Sequence, residues 1–348
     1  MIRSAVVGVG SMGQHHARVY TEIPDSQLVA VVDADIDRAR AIGKKFDVPA
    51  YENYQCMLDE QQPEAVSVAV PTQLHEQVAT AALLSGAHVL IEKPLASTII
   101  EGRKLINLAH DLNRHLMVGH IVRFNPATQM LKQKLLDGDL GKIYQIVCRR
   151  IGPFPSRISD VGVVVDLASH DVDLMRHLLG ADPVHLFAET GQNIHLQHED
   201  LLLGILMFPD GVKGSLEVNW LTPTRIREVL VLGENGMFKV DALTQELCFY
   251  QNGHASANGN GSHAQKPQAL TSVSEGQVIS YPVGQQEPLK AELEGFINSI
   301  ITGEPVPVSG EEGLAALRFS LALIESGVTH QVARFESSET YAEAVPVL

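Results

Sequence analysis

Two groups of polar residues have the types and spacing that proton transfer requires. Residues 92–94 read Glu-Lys-Pro after a short apolar run, and Asp166, His170 and Asp173 lie within eight residues of one another. Positions three and four apart share a helical face, so His170 would lie between two carboxylates that orient it for acid–base chemistry. A simpler interpretation also fits both groups: a surface Lys93 at a strand end, and a solvated acidic helix face with a structural histidine.

A glycine-rich turn is a third candidate feature. Gly8, Gly10 and Gly13 form the pattern G-x-G-x-x-G with Ser11 and Met12 directly after the second glycine. The first glycine permits a tight turn, the second lets the backbone approach a pyrophosphate, and the third lets a helix pack closely on a strand. The N–H groups at the helix start would then bind phosphate oxygens. The pattern predicts a dinucleotide-binding turn.

An acidic residue follows at the distance that such a turn requires. Asp33 ends the second apolar run, about 20 residues after Gly13, where a carboxylate accepts hydrogen bonds from an adenosine ribose. No arginine directly follows Asp33, which favours NAD over NADP. Arg38, one helical turn later, leaves NADP open. The simpler interpretation is a solvated acid at a strand end.

The elements that would position these groups alternate along the first third of the chain. Apolar runs rich in Val, Ile and Ala predict strands buried on both faces, with helices between them. This alternation predicts an α/β Rossmann-type domain, a doubly wound parallel sheet. Ligands bind outside the carboxyl ends of such strands, where Lys93 would lie. The predicted strands are residues 4–9, 28–33, 65–71, 88–92 and 116–121, and the predicted helices are residues 13–21, 37–46, 72–85 and 98–112.

The pattern changes after residue 122, which predicts two domains, 1–122 and 123–348. The second is expected to be an α+β domain with a largely antiparallel open sheet and a Pro-Asp-Gly hairpin turn at 209–211. An apolar sheet face left without helices predicts a homodimer or homotetramer. The predicted strands are residues 142–151, 184–191, 200–208, 212–220 and 226–232, the helices are 163–179, 289–302 and 310–329, and residues 251–268 are a predicted loop.

Composition excludes several classes of protein. The net charge of −15 disfavours a nucleic-acid partner. No signal peptide precedes the first strand and no apolar run approaches the roughly 20 residues that span a bilayer, so we expect a soluble cytoplasmic protein. The three cysteines are far apart and predict neither a zinc site nor a disulfide framework. The spacing of His195, His198 and Glu199 loosely resembles that of metal ligands. Hydride transfer to a nicotinamide, the chemistry that a dinucleotide-binding turn suggests, needs no metal, and we expect no metal site.

In combination, the glycine turn, Glu-Lys-Pro at a strand end and D-x-x-x-H-x-x-D over residues 166–173 resemble the Gfo/Idh/MocA family of oxidoreductases. The resemblance covers essentially the whole chain. It implies a Rossmann domain followed by an open antiparallel sheet, with NAD(P) and a sugar or cyclitol as ligands. It also implies that Lys93 and His170 flank the reacting carbon, with Asp166 beside them.

The same resemblance assigns further residues. Thr72 and His75 match positions that line the nicotinamide side of the cofactor, and His16 matches a histidine often found on the first helix. Glu92 and Lys93 are expected at the cofactor as well. Family members often have glycine where this chain has Ala168, a small change.

Two segments resemble a subgroup of the family. Residues 119–126 and 152–166 are similar to the nucleotide-sugar dehydrogenases that oxidise C3 of UDP-N-acetylglucosamine. This implies a UDP-3-keto sugar product, a partner aminotransferase, and substrate contacts from Arg123, Asn125 and Arg157 besides the catalytic residues. Arg149, Arg150 and Arg157 lie near the catalytic helix in sequence and are candidates to bind a diphosphate. Surface salt bridges are the alternative for these arginines.

Two other functions are open at this point. One is a dehydrogenase of a free cyclitol or simple sugar, and the other is a non-catalytic sensor of NAD(P) and sugar. The presence of both Lys93 and His170 argues against a sensor, which needs no proton-transfer pair. We expect His170 to act as general base, oriented by Asp166 or Asp173, while Lys93 binds the same substrate oxygen. A buried lysine acting as the base is the alternative.

Overall fold

The computed structural model describes residues 1–155, 161–253 and 275–335. They fold as two compact units, the first made of Met1–Pro126, Val165–Leu174 and Gln285–Leu321, and the second of the remaining described residues. The sequence predicts a single boundary after residue 122, whereas the chain returns to the first unit twice. Local patterns do not reveal such returns, because an amphipathic helix does not specify which core it packs against.

A six-stranded parallel sheet forms the core of the first unit. The strand order is β3-β2-β1-β4-β5-β6, with every neighbouring pair parallel. This is the order of a doubly wound dinucleotide-binding sheet, in which the chain changes direction between β1 and β4. All five predicted strands are present, and the two-residue β3 was not predicted. The strands are β1 (Ile2–Val7), β2 (Ser26–Val32), β3 (Ala50–Tyr51), β4 (Ala65–Val68), β5 (His88–Glu92) and β6 (Leu116–Gly119).

The helices that connect these strands differ in how they begin. Asp35 caps α2, Asn53 caps α3, and Thr98 with Glu101 forms a capping box on α5. In contrast, α1 begins at the glycine turn without a side-chain cap, so no side chain of its own cap residue occupies this helix end. The helices are α1 (Gly13–Glu22), α2 (Ile36–Phe46), α3 (Tyr54–Gln61), α4 (His75–Leu84) and α5 (Ile99–Asp111).

The helix that carries the Asp/His motif departs from the prediction. Val164–Ala168 form a π-helical turn, and an α-helix follows only from Ser169. A π turn has i→i+5 hydrogen bonds and is frequent at functional sites, so the α-helical spacing of Asp166 and His170 does not apply. The later helices are α6 (Pro126–Leu136), α7 (Ser169–Leu179), α8 (Pro288–Thr302) and α9 (Gly310–Thr329). Within the described residues no helix has the length and apolar character to cross a membrane.

The second unit contains a nine-stranded sheet of order β14-β13-β12-β11-β7-β10-β9-β8-β15. Every pair is antiparallel except β7 with β10. The five predicted strands are present, and β12 to β15 were not predicted. Of the predicted loop at 251–268, residues 254–268 lie outside the described residues. The strands are β7 (Ile143–Pro153), β8 (His185–Gly191), β9 (Leu201–Met207), β10 (Lys213–Asn219), β11 (Leu221–Gly233), β12 (Gly236–Asp241), β13 (Glu246–Asn252), β14 (Glu275–Tyr281) and β15 (Ala333–Arg334).

Strand β9 is apolar on both of its faces. Leu202 and Leu206 are buried, while Leu203 and Ile205 on the opposite face are 54% and 57% exposed. Ile205 is aligned with Phe187 of β8. On the neighbouring strands, Arg149 forms an ion pair with Glu217 at 2.6 Å, which neutralises charge on that face. The exposed side of the sheet therefore carries an apolar surface in the single chain.

Candidate active site

The three glycines of the turn have different surroundings. A Cβ on Gly8 would lie 2.5 Å from the carbonyl oxygen of Ala69, and a Cβ on Gly13 would lie 1.7 Å from that of Gly8. Gly8 also has a φ of +86°, in the left-handed region. A Cβ on Gly10 would meet nothing within 4 Å. Gly8 and Gly13 are thus required by packing, and Gly10 faces open space where a ligand can approach the backbone.

The start of α1 fits the phosphates of a dinucleotide. Met12 precedes the helix without a side-chain cap, and the first turn has no acidic residue. The partial positive charge and free N–H groups of such a helix end attract phosphate oxygens. Ser11 is exposed and Met12 half-buried beside Gly10. These features of the chain fit the NAD that the glycine pattern predicts.

Asp33 anchors the glycine turn and contacts Arg38. Its carboxylate accepts hydrogen bonds from the backbone N–H groups of Val9 and Asp35, both at 3.0 Å. Arg38 donates to the same carboxylate at 3.1 Å. Asp33 is therefore the acid at the strand end, and it also stabilises the glycine turn through the hydrogen bond from Val9. Its pairing with Arg38 holds that guanidinium at the ribose end of the predicted site.

Lys93 is held by Asp166. The lysine Nζ donates to the backbone oxygen of Asp166 at 2.7 Å and to its Oδ1 at 2.9 Å. The two side chains are only 17% and 12% exposed. An ammonium group has three N–H donors, and two of them are used here. The third remains for a ligand at the carboxyl end of β5.

His170 and His120 lie edge to face within the first unit. Their ring centroids are 6.3 Å apart with an interplanar angle of 86°. His120 is buried, and its Nδ1 lies 3.8 Å from Asp173. His120 was not predicted from the sequence, although it directly follows β6, and the strand-end rule that indicated Lys93 applies to it as well.

Arg123 takes part in a buried ion-pair cluster. It donates to both carboxylate oxygens of Asp173, at 2.7 and 2.6 Å, and to Glu312 at 2.6 Å. The resemblance implied that Arg123 and Asn125 bind substrate, and the helical spacing suggested that Asp173 could orient His170. In the structure Arg123 and Asn125 are buried, and Asp173 is paired with Arg123; their expected roles at the substrate and at His170 stay predictions. Arg157, the third expected substrate contact, lies outside the described residues.

A second polar network lies behind the Glu-Lys-Pro turn. His16 contacts Glu92 at 2.9 Å and Ser67 at 3.1 Å, and Tyr20 contacts the same Ser67 at 2.7 Å. Burial opposes the ionised form of Glu92, but the hydrogen bond from His16 and the charge of Lys93 lower its pKa overall. Glu92 is therefore a carboxylate held by His16.

Glu292 of α8 is the buried neighbour of this network. Its side chain is 0% exposed, and neither carboxyl oxygen has a hydrogen-bond partner among the described residues. Burial and the charge of Glu92 raise the pKa of Glu292 well above its ordinary value. Burial and the nearby carboxylate therefore favour the protonated form of Glu292, whereas His16 and Lys93 favour the ionised form of Glu92.

His75 supports the Glu-Lys-Pro turn from behind. Its Nδ1 lies 2.8 Å from the carbonyl oxygen of Pro94, and its Nε2 lies 2.9 Å from that of Val70. The ring is buried, which lowers its pKa. The ring of His75 therefore links the end of β4 to the turn after β5, and its expected contact with the cofactor stays a prediction. Thr72 is half-buried in the 3₁₀ turn Thr72–Leu74 that precedes α4.

The histidines with metal-like spacing contact the protein backbone. Nδ1 of His195 accepts hydrogen bonds from the N–H groups of Gln197 and His198, and Glu199 accepts one from Val164. In the part of the chain that the structure describes, no group of three or more His, Cys, Asp or Glu is placed to hold a metal ion.

Known families and structures match along most of the chain. A Gfo/Idh/MocA family model, described as an oxidoreductase family with an NAD-binding Rossmann fold, matches residues 2–120, and the C-terminal domain model of that family matches residues 128–239. UDP-N-acetylglucosamine 3-dehydrogenase from Acidithiobacillus ferrooxidans is 30% identical over 92% of this chain and 95% of its own length. Myo-inositol 2-dehydrogenase from Thermotoga maritima is 25% identical over 93% of this chain and 96% of its own length.

A solved structure shows the same architecture. The crystal structure of the Acidithiobacillus ferrooxidans UDP-N-acetylglucosamine 3-dehydrogenase superposes with a TM-score of 0.81 at 29% identity. The superposition covers 93% of this chain and 97% of the other. The predicted fold class, a parallel Rossmann-type sheet followed by a mixed, mostly antiparallel sheet, is confirmed.

Proposed function

Because this chain belongs to the Gfo/Idh/MocA family of NAD-binding oxidoreductases, we propose that it oxidises a sugar hydroxyl to a ketone, at C3 of UDP-N-acetylglucosamine. The observation that carries the catalytic part is the Lys93–Asp166 pair at the carboxyl end of β5. Among the described residues one N–H donor of Lys93 has no partner, and the lysine lies in the same unit as the glycine turn and His170. NAD, when bound, supplies the acceptor for the hydride that leaves the alcohol carbon.

Lys93 and His170 have distinct tasks in this proposal. The ammonium of Lys93 is bound to a carboxylate and a carbonyl, so it is a hydrogen-bond donor to the substrate oxygen. The proton acceptor is then His170, which takes the hydroxyl proton as negative charge develops on that oxygen. Lys93 stabilises this charge electrostatically. Asp166 orients Lys93 in this proposal, a role that the sequence did not suggest.

The arginines near Gly152 support a nucleotide-sugar substrate. Arg149 is neutralised by Glu217, so it is not a diphosphate ligand. Arg150 of β7 is aligned with Arg227 of the neighbouring strand β11, and Arg227 donates to the carbonyl oxygens of Ile151 and Ile226. Arg225 lies in the part of β11 where the register with β7 is irregular. It is close to Gly152, because a Cβ built on Gly152 would lie 3.3 Å from Cγ of Arg225. Arg225 is therefore the arginine of this region that we propose to bind the diphosphate, since guanidinium groups form bidentate hydrogen bonds with phosphate oxygens.

Turnover with a set of sugars tests the proposal. NADH formation is followed by absorbance with NAD and UDP-N-acetylglucosamine, free N-acetylglucosamine or myo-inositol. Turnover confined to the UDP-sugar, with KM raised in Arg225→Ala, supports the nucleotide-sugar assignment. If only a free sugar or polyol is oxidised, the roles of Lys93 and His170 still stand, but the substrate is not a nucleotide sugar. NAD binding without turnover of any sugar would favour a sensor and contradict the proposal.

Other parts of the proposal concern partners and location. The apolar face around Leu203 and Ile205 supports a homodimer or homotetramer that packs sheet against sheet. A UDP-3-keto product would be consumed by an aminotransferase, and the cytoplasm is the compartment that the sequence predicts. NAD is the proposed electron acceptor in preference to NADP because Arg38 is engaged by Asp33.

A further inference from the structure

Glu199 contacts the start of the helical segment that carries Asp166. It lies just before β9, and its Oε1 accepts a hydrogen bond from the N–H group of Val164 at 3.1 Å. Its backbone oxygen accepts a second bond from Val163 at 2.9 Å. Val164 is the first residue of the π-helical turn Val164–Ala168. Glu199 therefore accepts hydrogen bonds from the N–H groups of Val163 and Val164, which shortly precede Asp166 in the chain.

Residues next to this contact restrict the position of the Glu199 carboxylate. A Cβ on Gly162 would lie 2.0 Å from Oε1 of Glu199, so a larger residue at this position would displace the carboxylate. The next residue, Asp200, is fully buried and accepts hydrogen bonds from the backbone N–H groups of Asn193, Ile194 and His195. The backbone on both sides of the contact is thus constrained.

The first N–H groups of a helix have no partner within the helix, and a carboxylate that accepts from them stabilises the helix end through hydrogen bonding and the helix dipole. Here the capped turn contains Asp166, whose backbone and side chain both hold Lys93. Displacement of catalytic groups by about 1 Å can cost about a hundredfold in rate. Val164 and Asp166 belong to the same π-helical turn, two residues apart.

We propose that Glu199 is a positioning residue, which caps the π-helical turn and thereby sets the place of Asp166 against Lys93. The proposal rests on the catalytic roles of Lys93 and Asp166 given above, and it is independent of which sugar is the substrate. His195 and His198 are the titratable groups whose charge acts on the Glu199 carboxyl. The contact between Glu199 and Val164 has no counterpart in the expectations from sequence, which considered Glu199 only for metal binding.

The kinetic test compares Glu199→Ala with Glu199→Gln. Glutamine keeps an oxygen that can accept from Val164, so kcat should stay within about threefold of wild type. Alanine removes the cap, and kcat should fall by about tenfold to a hundredfold, with the KM for NAD unchanged. Gly162→Ala, which displaces the same carboxylate, should reproduce the loss. The sugar used is whichever one the wild-type enzyme oxidises.

A matched control separates positioning from general loss of a cap. Asn53 caps α3 through bonds to the N–H groups of Gln55 at 2.7 Å and Cys56 at 3.3 Å. Asn53→Ala should lower the melting temperature to a similar degree and leave kcat unchanged. Equal losses of kcat in Asn53→Ala and Glu199→Ala would overturn the proposal. So would a Glu199→Gln variant as slow as Glu199→Ala.

Hydrogen exchange gives a readout that needs no turnover. Mass spectrometry of the peptide covering residues 163–170 should show faster amide exchange in Glu199→Ala and wild-type exchange in Glu199→Gln. Unchanged exchange in Glu199→Ala would overturn the proposal even if no substrate had been found. Faster exchange together with an inactive wild type would instead support the cap and contradict the proposed enzymatic function, so the two failures are distinguishable.

Discussion

Asp166 binds Lys93 through two atoms at once, its backbone oxygen and its carboxylate, although the two residues are 73 positions apart in the chain. A single residue thereby fixes both the direction and the charge environment of the ammonium. The backbone bond depends on the π-helical turn, and the side-chain bond depends on the carboxylate. The geometry accounts for the presence of an acid at position 166 without requiring it to contact His170.

Asp166→Asn keeps an oxygen for Lys93 and removes the negative charge. We expect kcat to fall about a hundredfold because the charge-assisted bond that orients the ammonium is lost. The dissociation constant for NAD, measured by fluorescence titration, should change by less than about threefold. Asp182→Asn, which removes an exposed partner of Arg176, is the control and should behave as wild type. Wild-type turnover in Asp166→Asn would contradict the assignment.

Gly10→Ala and Gly13→Ala should fail in different ways. A Cβ on Gly10 meets nothing within 4 Å, so the alanine variant should fold with nearly unchanged Tm and bind NAD at least about tenfold more weakly. A Cβ on Gly13 would lie 1.7 Å from the oxygen of Gly8, so that variant should be strongly destabilised. Thermal unfolding and NAD titration check both expectations. Normal NAD affinity in Gly10→Ala would show that the cofactor does not approach this turn.

Glu292 should make the stability of the protein fall as pH rises. Its pKa in the folded protein is raised by burial and by Glu92, whereas an unfolded glutamate titrates near about 4.3. Above that pH the folded state retains a proton that the unfolded state releases, so the stabilisation present at low pH is lost progressively, at up to about 1.4 kcal/mol per pH unit.

Glu292→Gln, which cannot ionise, isolates this effect. Relative to wild type, the variant should gain up to about 2 kcal/mol in free energy of unfolding between pH 5.5 and 7.0, measured with urea. Glu294→Gln on the same helix is the matched control. A difference between Glu292→Gln and wild type that is constant with pH would mean that Glu292 is ionised in the folded protein.

The apolar face of β9 makes a prediction about assembly. Leu203→Glu places a charge on a surface that is apolar in the single chain, so it should dissociate a sheet-to-sheet dimer or tetramer. Light scattering at micromolar concentration should report an oligomer for wild type and a monomer for the variant. Leu84→Glu, at an exposed leucine of α4, should remain oligomeric. A monomeric wild type would remove the predicted interface.

The sequence predicts the strands and helices better than it predicts which of them pack together. All ten strands predicted from apolar runs are present, because their composition and turn signals are local. Strand β3 has two residues and strand β15 has two, too few for any pattern. The return of residues 165–174 and 285–321 to the first unit depends on tertiary packing, which no local pattern contains.

In the candidate site, too, the sequence predicts the residues better than it predicts their contacts. Lys93 and Asp166 could be selected from motif and strand position, and they do contact each other. The pairing of Arg123 with Asp173 and Glu312 could not, because these residues are separated by 50 and 189 positions. The face shared by Asp166 and His170 was inferred from α-helical spacing, and the π turn changes that spacing. Sequence identifies the chemical groups, and the fold decides which of them meet.

The turnover of Lys93→Met and His170→Asn tests the central claim most directly. Each variant is assayed with NAD and the sugar that wild type oxidises, and NAD affinity is measured in parallel by fluorescence. The account predicts that kcat falls by roughly 10²–10⁴-fold in each variant while NAD still binds, since a positioned acid–base group contributes about that much. Near-wild-type kcat at saturating substrate in either variant would contradict the catalytic role assigned to that residue.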